Sequence, residues 1–315
     1  MLNGETMGTQ WNATLLVPLG EVRSKPYQKI IQDVLDDVNH KMSTWNSRSE
    51  LSLFNESQST SPQPMSRETL IVLEAAKSVH TQSSGAFDVT VGPLVRAWGF
   101  GIGESEEPPS DEEIALMLSQ IGSDHLSLDL EAKTATKQKA ALKVDLSAIA
   151  KGFAVDQTHS VLIEEGLTDF MIEVGGEVKT MGVNAKGQTW AIGIEQPDAP
   201  KNVLSAAIAI ENMAVATSGD YRNYKEKDGK RISHTIDPRT GKPITHRLAS
   251  VTVIAESAMM ADAWATALNV LGPTEGMDLA NSLSMPIMMI VRNEEGKFEF
   301  NENKHFKPYG VKLNQ

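Results

Sequence analysis

The chain has no cysteine, so neither a disulfide nor a thiolate metal site is available to it. The same absence removes the usual compartment signal and leaves cytosol and periplasm both open. No apolar run reaches the roughly 18 residues that a membrane-spanning helix needs, and Met1 opens no signal peptide. A chain trimmed of an export or lipoprotein segment opens in this way, and so does a native cytosolic start. No basic run occurs, and the net charge of -12 argues against a nucleic-acid surface. That charge also repels polyanionic ligands, so a phosphate partner needs a cation or local dipoles to be held.

What is present is an ordinary globular balance, 40% hydrophobic and 22% charged over 315 residues, enough for one large domain or two intimate ones. Repeats and low-complexity tracts are absent. Thr9 to Pro18 alternates like a strand, and Pro26 to Ser43 carries a helical apolar stripe at Ile30, Ile31, Val34, Leu35 and Val38. Glu68 to Ser83 reads as a second helix stopped near Gly85. Phe100 to Ser110 is rich in Gly, Glu and Pro ahead of a helix over Asp111 to Ile121, and marks a surface insertion at about 100–125. Leu126 to Leu130 and Ala141 to Leu146 read as a strand pair feeding a helix over Ser147 to Glu165. Strand-like runs follow at Phe170 to Val174, Glu177 to Val183, Trp190 to Gln196, Leu204 to Ile210, Met213 to Thr217 and Ser250 to Ala255. The expected class is α+β, antiparallel-rich sheets with helices packed on their outer faces, in a single domain over 1–315.

Chemistry concentrates in a few stretches. Asp262 and Thr266 stand at i and i+4 in an otherwise apolar helix, so a carboxylate and a hydroxyl share one face. A buried Asp must be paired, hydrogen-bonded or metal-bound; capping near a helix start is the plainer alternative. The segment from Asp145 to Gly152 joins a strand to a helix, with Lys151 able to add charge where free amides meet a phosphate. Simple capping by Asp145 or Ser147 explains that stretch more economically. Glycines in Glu173-Val-Gly-Gly-Glu177 read first as a hairpin, and Thr217 to Arg222 as a polar loop. Asp237-Pro-Arg-Thr-Gly241 is a strong turn signal, and His234 just before it is the histidine on display.

Taken in order, Met7-Gly-Thr9, Met42-Ser-Thr-Trp45, Gly85 to Pro93, Val144 to Gly152, Glu173-Val-Gly-Gly176, Thr217-Ser-Gly219, Ser233 to Pro238 and Ala261-Asp-Ala263 resemble the FAD:protein FMN transferases, the ApbE-type flavin transferases. The resemblance runs from about Met7 to about Pro273 and implies an ApbE-like, T-fold-related architecture. It implies an enzyme that binds FAD, uses Mg²⁺, and transfers FMN to a Thr or Ser hydroxyl of a partner protein as AMP leaves. By position it makes Asp262 and Thr266 metal ligands, joined by the backbone carbonyls of Ala148 and Ala265. Met7, Trp45, Ala86, Phe87, Asp88, Asp145, Lys151 and Ile236 match positions lining FAD.

His234, with an ordinary pKa of about 6.5, suits the base that activates the acceptor hydroxyl, and Asp237 is the candidate to orient it. Trp45 stands where close relatives carry tyrosine and FAD-hydrolysing ones a polar residue, which favours transfer. The rivals are an FAD pyrophosphatase and a non-catalytic flavin carrier. Family habit adds a periplasmic location with a lipid anchor at the inner membrane, and an acceptor in a membrane redox complex.

Overall fold

Strand Leu248–Ala255 is buried along nearly its whole length because both of its faces are covered. In the computed structural model, which describes residues 1–17, 25–100, 107–197, 204–219, 224–227 and 230–311, this strand lies inside an eight-stranded sheet. The order is Leu2–Thr6, Thr9–Leu15, Phe170–Val174, Glu177–Met181, Ala214–Gly219, Leu248–Ala255, Ile287–Arg292 and Phe298–Glu302, and every neighbouring pair is antiparallel.

Side chains alternate between two cores. Ala214, Ala216, Val251, Val253, Ile287 and Met289 face the helices. Val215, Ile254, Met288 and Ile290 face the other way and pack on Ile194, Ile208, Ile210 and Phe306. The latter come from a three-stranded sheet of Trp190–Glu195, Leu204–Ile210 and Gly310–Val311 and from the turn before it. The period of two along a strand is what lets one sheet serve two cores.

Two helices matter for the site. The lysine helix, Ala150–Glu164, and the aspartate helix, Ala258–Ser282, pack against each other and on the sheet. The aspartate helix is broken at Gly272 (φ 79°), just before Pro273. Helix Tyr27–Met42 lies on the lysine helix, burying Ile31, Leu35 and Val38 of the apolar stripe. Helix Arg67–Gln82 packs on the aspartate helix.

The strand pairing around residue 130 differs from expectation. Leu126–Asp129 pairs with Thr134–Lys137, not with 141–146. The latter stretch is extended, and Asn55 takes the place of a strand: its amide donates to the Val144 carbonyl and accepts from the Val144 N–H, both at 2.8 Å. The lysine helix starts at Ala150 rather than Ser147, after a turn over 147–149. Of the expected insertion, 101–106 lies outside the described residues, as do Pro18 and 220–222 of the Thr217–Arg222 loop. Helix Asp111–Leu118 starts at a capping box of Ser110 and Glu113, and its Ile114 packs with Leu94, Ile121 and Ile236.

Candidate active site

The site is built where the two helices start. A Cβ on Gly152 would lie 2.2 Å from the Ala258 carbonyl oxygen and 2.7 Å from Met259 Cα, so only glycine lets the helices meet here. The aspartate helix is fixed at this crossing from both sides. Ser257 caps it by accepting from Met260 N–H. Asp156 of the lysine helix accepts from Ser257 Oγ at 2.7 Å, Ala258 N–H at 3.0 Å and Met259 N–H at 2.9 Å, and pairs with Lys179 at 2.6 Å. A carboxylate on the first free amides of a helix also meets the positive end of its dipole.

This crossing brings Lys151 and Asp262 together. Asp262 is buried, and its Oδ2 accepts from Gly152 N–H at 3.2 Å and from Lys151 Nζ at 3.5 Å. In a continued helix Gly152 N–H would go to the Ala148 carbonyl. Ala150 N–H bonds the Leu146 carbonyl and Phe153 N–H the Ile149 carbonyl, while no backbone N–H among the described residues bonds Ala148, so its oxygen is left without a helical donor. Thr266 follows Asp262 by one turn, half-buried. Ala265, inside the helix, offers the second lone pair of a carbonyl already in the helical ladder.

Among the described residues no group of three or more His, Asp or Glu gathers where it could hold a metal. A cation here therefore relies on one carboxylate, one hydroxyl and carbonyls, hard oxygen donors that suit Mg²⁺ with retained waters. What fits the group is the Ala148 oxygen left without a donor because Gly152 N–H bonds Asp262 instead.

Glu177 completes the charge cluster, and sequence reading passed over it. Lys151 Nζ lies 3.0 Å from Glu177 Oε1, so two carboxylates share one ammonium. Burial alone would lower the Lys151 ammonium, but Asp262 and Glu177 outweigh it and hold it above the ordinary lysine value. Burial and then the Asp262 charge push the Glu177 carboxyl up, while the Lys151 ammonium at 3.0 Å pulls it back toward the ionised form.

Of the other residues expected to line FAD, Met7 lies on a loop tied to this cluster, and the rest lie on separate elements. Met7 (φ 48°) and Gly8 (φ 73°) form the two-residue loop between paired Thr6 and Thr9, and Gly175 and Gly176 form the equivalent hairpin between Val174 and Glu177. The loops touch, since a Cβ on Gly175 would lie 2.8 Å from Thr9 Cγ2 and 3.3 Å from Lys151 Cδ. Trp45 stands 73% exposed on the loop after the first long helix. Ala86, Phe87 and Asp88 are buried. Asp88 holds Thr90 and Ser123 through their N–H and hydroxyl groups and pairs with His80 at 3.3 Å. Asp145 Oδ1 accepts from Ser147 N–H and Oγ, and its N–H donates to Val89 at 2.6 Å, joining the two segments. Ile236 packs in the Leu94 and Ile114 cluster.

His234 precedes the hairpin of Ile236–Asp237 and Lys242–Pro243, which Gly241 closes at φ 70°. Its ring is half-buried and edge-on to Phe100 at 6.3 Å. Asp237 directs both carboxylate oxygens to Arg239, at 2.9 to 3.2 Å. Asn269 of the aspartate helix donates to Thr235 Oγ1 and Ser218 Oγ, each at 3.3 Å, tying the histidine segment to the helix of Asp262. Asn269 continues the face of Asp262 and Thr266, so a polar residue at that spacing in an apolar helix was a legible signal.

The ApbE family model matches residues 7–290. A FAD:protein FMN transferase of Vibrio cholerae serotype O1 is 42% identical over 309 residues, covering 98% of this chain and 92% of the relative. That of Escherichia coli K12 is 38% identical over 316 residues, covering 99% and 89%. The solved structure of the flavin transferase ApbE from Vibrio cholerae superposes with a TM-score of 0.88 at 41% identity, covering 98% of this chain and 97% of that one. The apo flavinyl transferase ApbE of Pseudomonas stutzeri also gives 0.88, at 36% identity and 99% and 96% coverage.

Proposed function

The chain belongs to the ApbE family and transfers FMN from FAD to a protein, and on that premise we propose that the transfer is Mg²⁺-dependent, modifies a Thr or Ser hydroxyl and releases AMP. The observation that carries the chemistry is that Gly152 N–H turns to the buried Asp262 carboxylate, which also meets Lys151, and leaves the Ala148 carbonyl without its helical donor. Asp262, Thr266 and the carbonyls of Ala148 and Ala265 would hold the cation. When bound, Mg²⁺ supplies the counter-charge that an acidic protein lacks for a pyrophosphate.

Lys151 adds a second positive charge on the same side. Met7, Ala86, Phe87, Asp88, Asp145 and Ile236 would line the FAD cleft, and the exposed Trp45 ring offers an aromatic face for the flavin to stack on. His234 removes the acceptor hydroxyl proton. The oxygen then forms a bond to the FMN phosphorus as the bond to AMP breaks, and the electron pair leaves with AMP. We read 1–315 as one flavin-transferase domain with its insertion at about 100–125, working in the periplasm from a lipid anchor on subunits of a membrane redox complex.

Incubation with FAD, Mg²⁺ and an acceptor protein tests the reading. Flavin fluorescence that stays on the denatured acceptor supports transfer. Free FMN and AMP without acceptor indicate a pyrophosphatase, and unchanged FAD a carrier. Asp262→Ala is expected to abolish turnover; near wild-type rates at saturating Mg²⁺ would refute the metal assignment.

A further inference from the structure

Glu177 is more than nine-tenths buried, yet its Oε2 makes no hydrogen bond, and its Oε1 is spent on Lys151. An ionisable side chain is rarely buried this way unless something gains from its charge. The hairpin geometry shows the placement is built. Glu177 is the first residue after the Gly175–Gly176 loop, and that loop packs on the stem of Lys151. One turn therefore seats both the lysine stem and the carboxylate at its tip.

Lys151 lies within reach of both Asp262 and Glu177. A cation arriving on Asp262 competes with the ammonium for that carboxylate, and two positive charges then face each other over a short distance. The site tolerates this only if the ammonium keeps another counter-ion. Glu177, on a different element from Asp262 and 3.0 Å from Nζ, supplies that counter-ion.

We propose that Glu177 is a positioning residue for flavin transfer, tethering the Lys151 ammonium so that Asp262 is released to a divalent cation while the lysine stays in the site. This rests on the reading of Asp262 as a metal ligand. Removing the Glu177 charge leaves Asp262 as the remaining ion-pair partner of Lys151 among the described residues, and a cation must then displace a tighter ion pair. The cost falls on cation affinity more than on the rate once the cation is bound.

The test is Glu177→Gln, which keeps the volume and an oxygen acceptor but removes the charge. Mn²⁺ binding to the protein alone, read by electron paramagnetic resonance, is expected to weaken about 10- to 100-fold, the range for outer partners of metal ligands. The Mg²⁺ concentration for half-maximal transfer rises in parallel, and kcat at saturating Mg²⁺ stays within a few-fold. Glu177→Asp, which keeps the charge on a shorter stem, recovers part of the Mn²⁺ affinity. Wild-type Mn²⁺ binding in folded Glu177→Gln overturns the proposal. So does a lower melting temperature with no change in Mn²⁺ affinity, the mark of a merely structural role. Should the Gln variant not fold, Glu177→Met, which removes the charge at similar volume, takes its place, and Mn²⁺ affinity equal to wild type in it overturns the proposal. Asp262→Ala separates the two readings: Mn²⁺ binding that survives it removes the metal assignment itself, whereas its loss there with no effect at Glu177 removes only the tether.

Discussion

In the proposed reaction a single imidazole does the proton work, and its surroundings say how to test it. His234 sits on a segment tied down by Asn269 through Thr235, and its ring meets Phe100 edge-on. His234→Ala is expected to lower the transfer rate at saturating FAD by about 10²- to 10⁴-fold, the contribution of a positioned base. FAD affinity measured by flavin fluorescence should be nearly unchanged. A loss of FAD affinity without a rate defect would make it a binding residue. Asp237, the orienting partner suggested by proximity in sequence, is instead an ion-pair partner of Arg239 on its own turn. Two residues of separation in a tight turn favour that local pairing.

At the level of elements, the site depends on how closely two helices approach. Gly152→Ala places a methyl group against the Ala258 carbonyl, with rigid backbone on both sides. A cost of about 1–3 kcal/mol or more is expected from overpacking, seen as a lower melting temperature, together with weakened Mn²⁺ binding as Gly152 N–H leaves Asp262. The helix of Asp262 and Thr266 was legible because i, i+4 spacing fixes a shared face. The Gly175 turn was legible because Gly marks positive φ, whereas the Met7 turn and the strand Leu2–Thr6 before it were not read. Nor were Glu177 and Asp156. Their partners, Lys151 and the start of the aspartate helix, come from distant segments, and no local pattern announces a charge paired across the fold. The extended 141–146 stretch misread as a strand for the same reason: its hydrogen bonds go to the side chain of Asn55.

Taken whole, the molecule keeps its chemistry on the helical side of the large sheet and a second core on the other. Ile208→Ala, in that second core, is expected to cost about 2–5 kcal/mol in denaturant unfolding. The KM for FAD and kcat should stay near wild type, because Ile208 packs with Val215 and Ile254 rather than with the site residues. A parallel loss of catalysis would show that the two cores are coupled. The α+β class and most elements followed from alternation and apolar stripes. The order of strands did not, since it joins Thr9–Leu15 to Phe170–Val174. That last pairing also has a kinetic meaning. Asn12 bonds Glu173, 161 residues away, and the hairpin of Met7 lies beside the glycine loop that seats Lys151. High contact order makes such a fold slow to form. A chain emerging from synthesis cannot assemble the cleft until its first strand meets its middle and the aspartate helix has been made, so partly made or truncated copies have no means of consuming FAD.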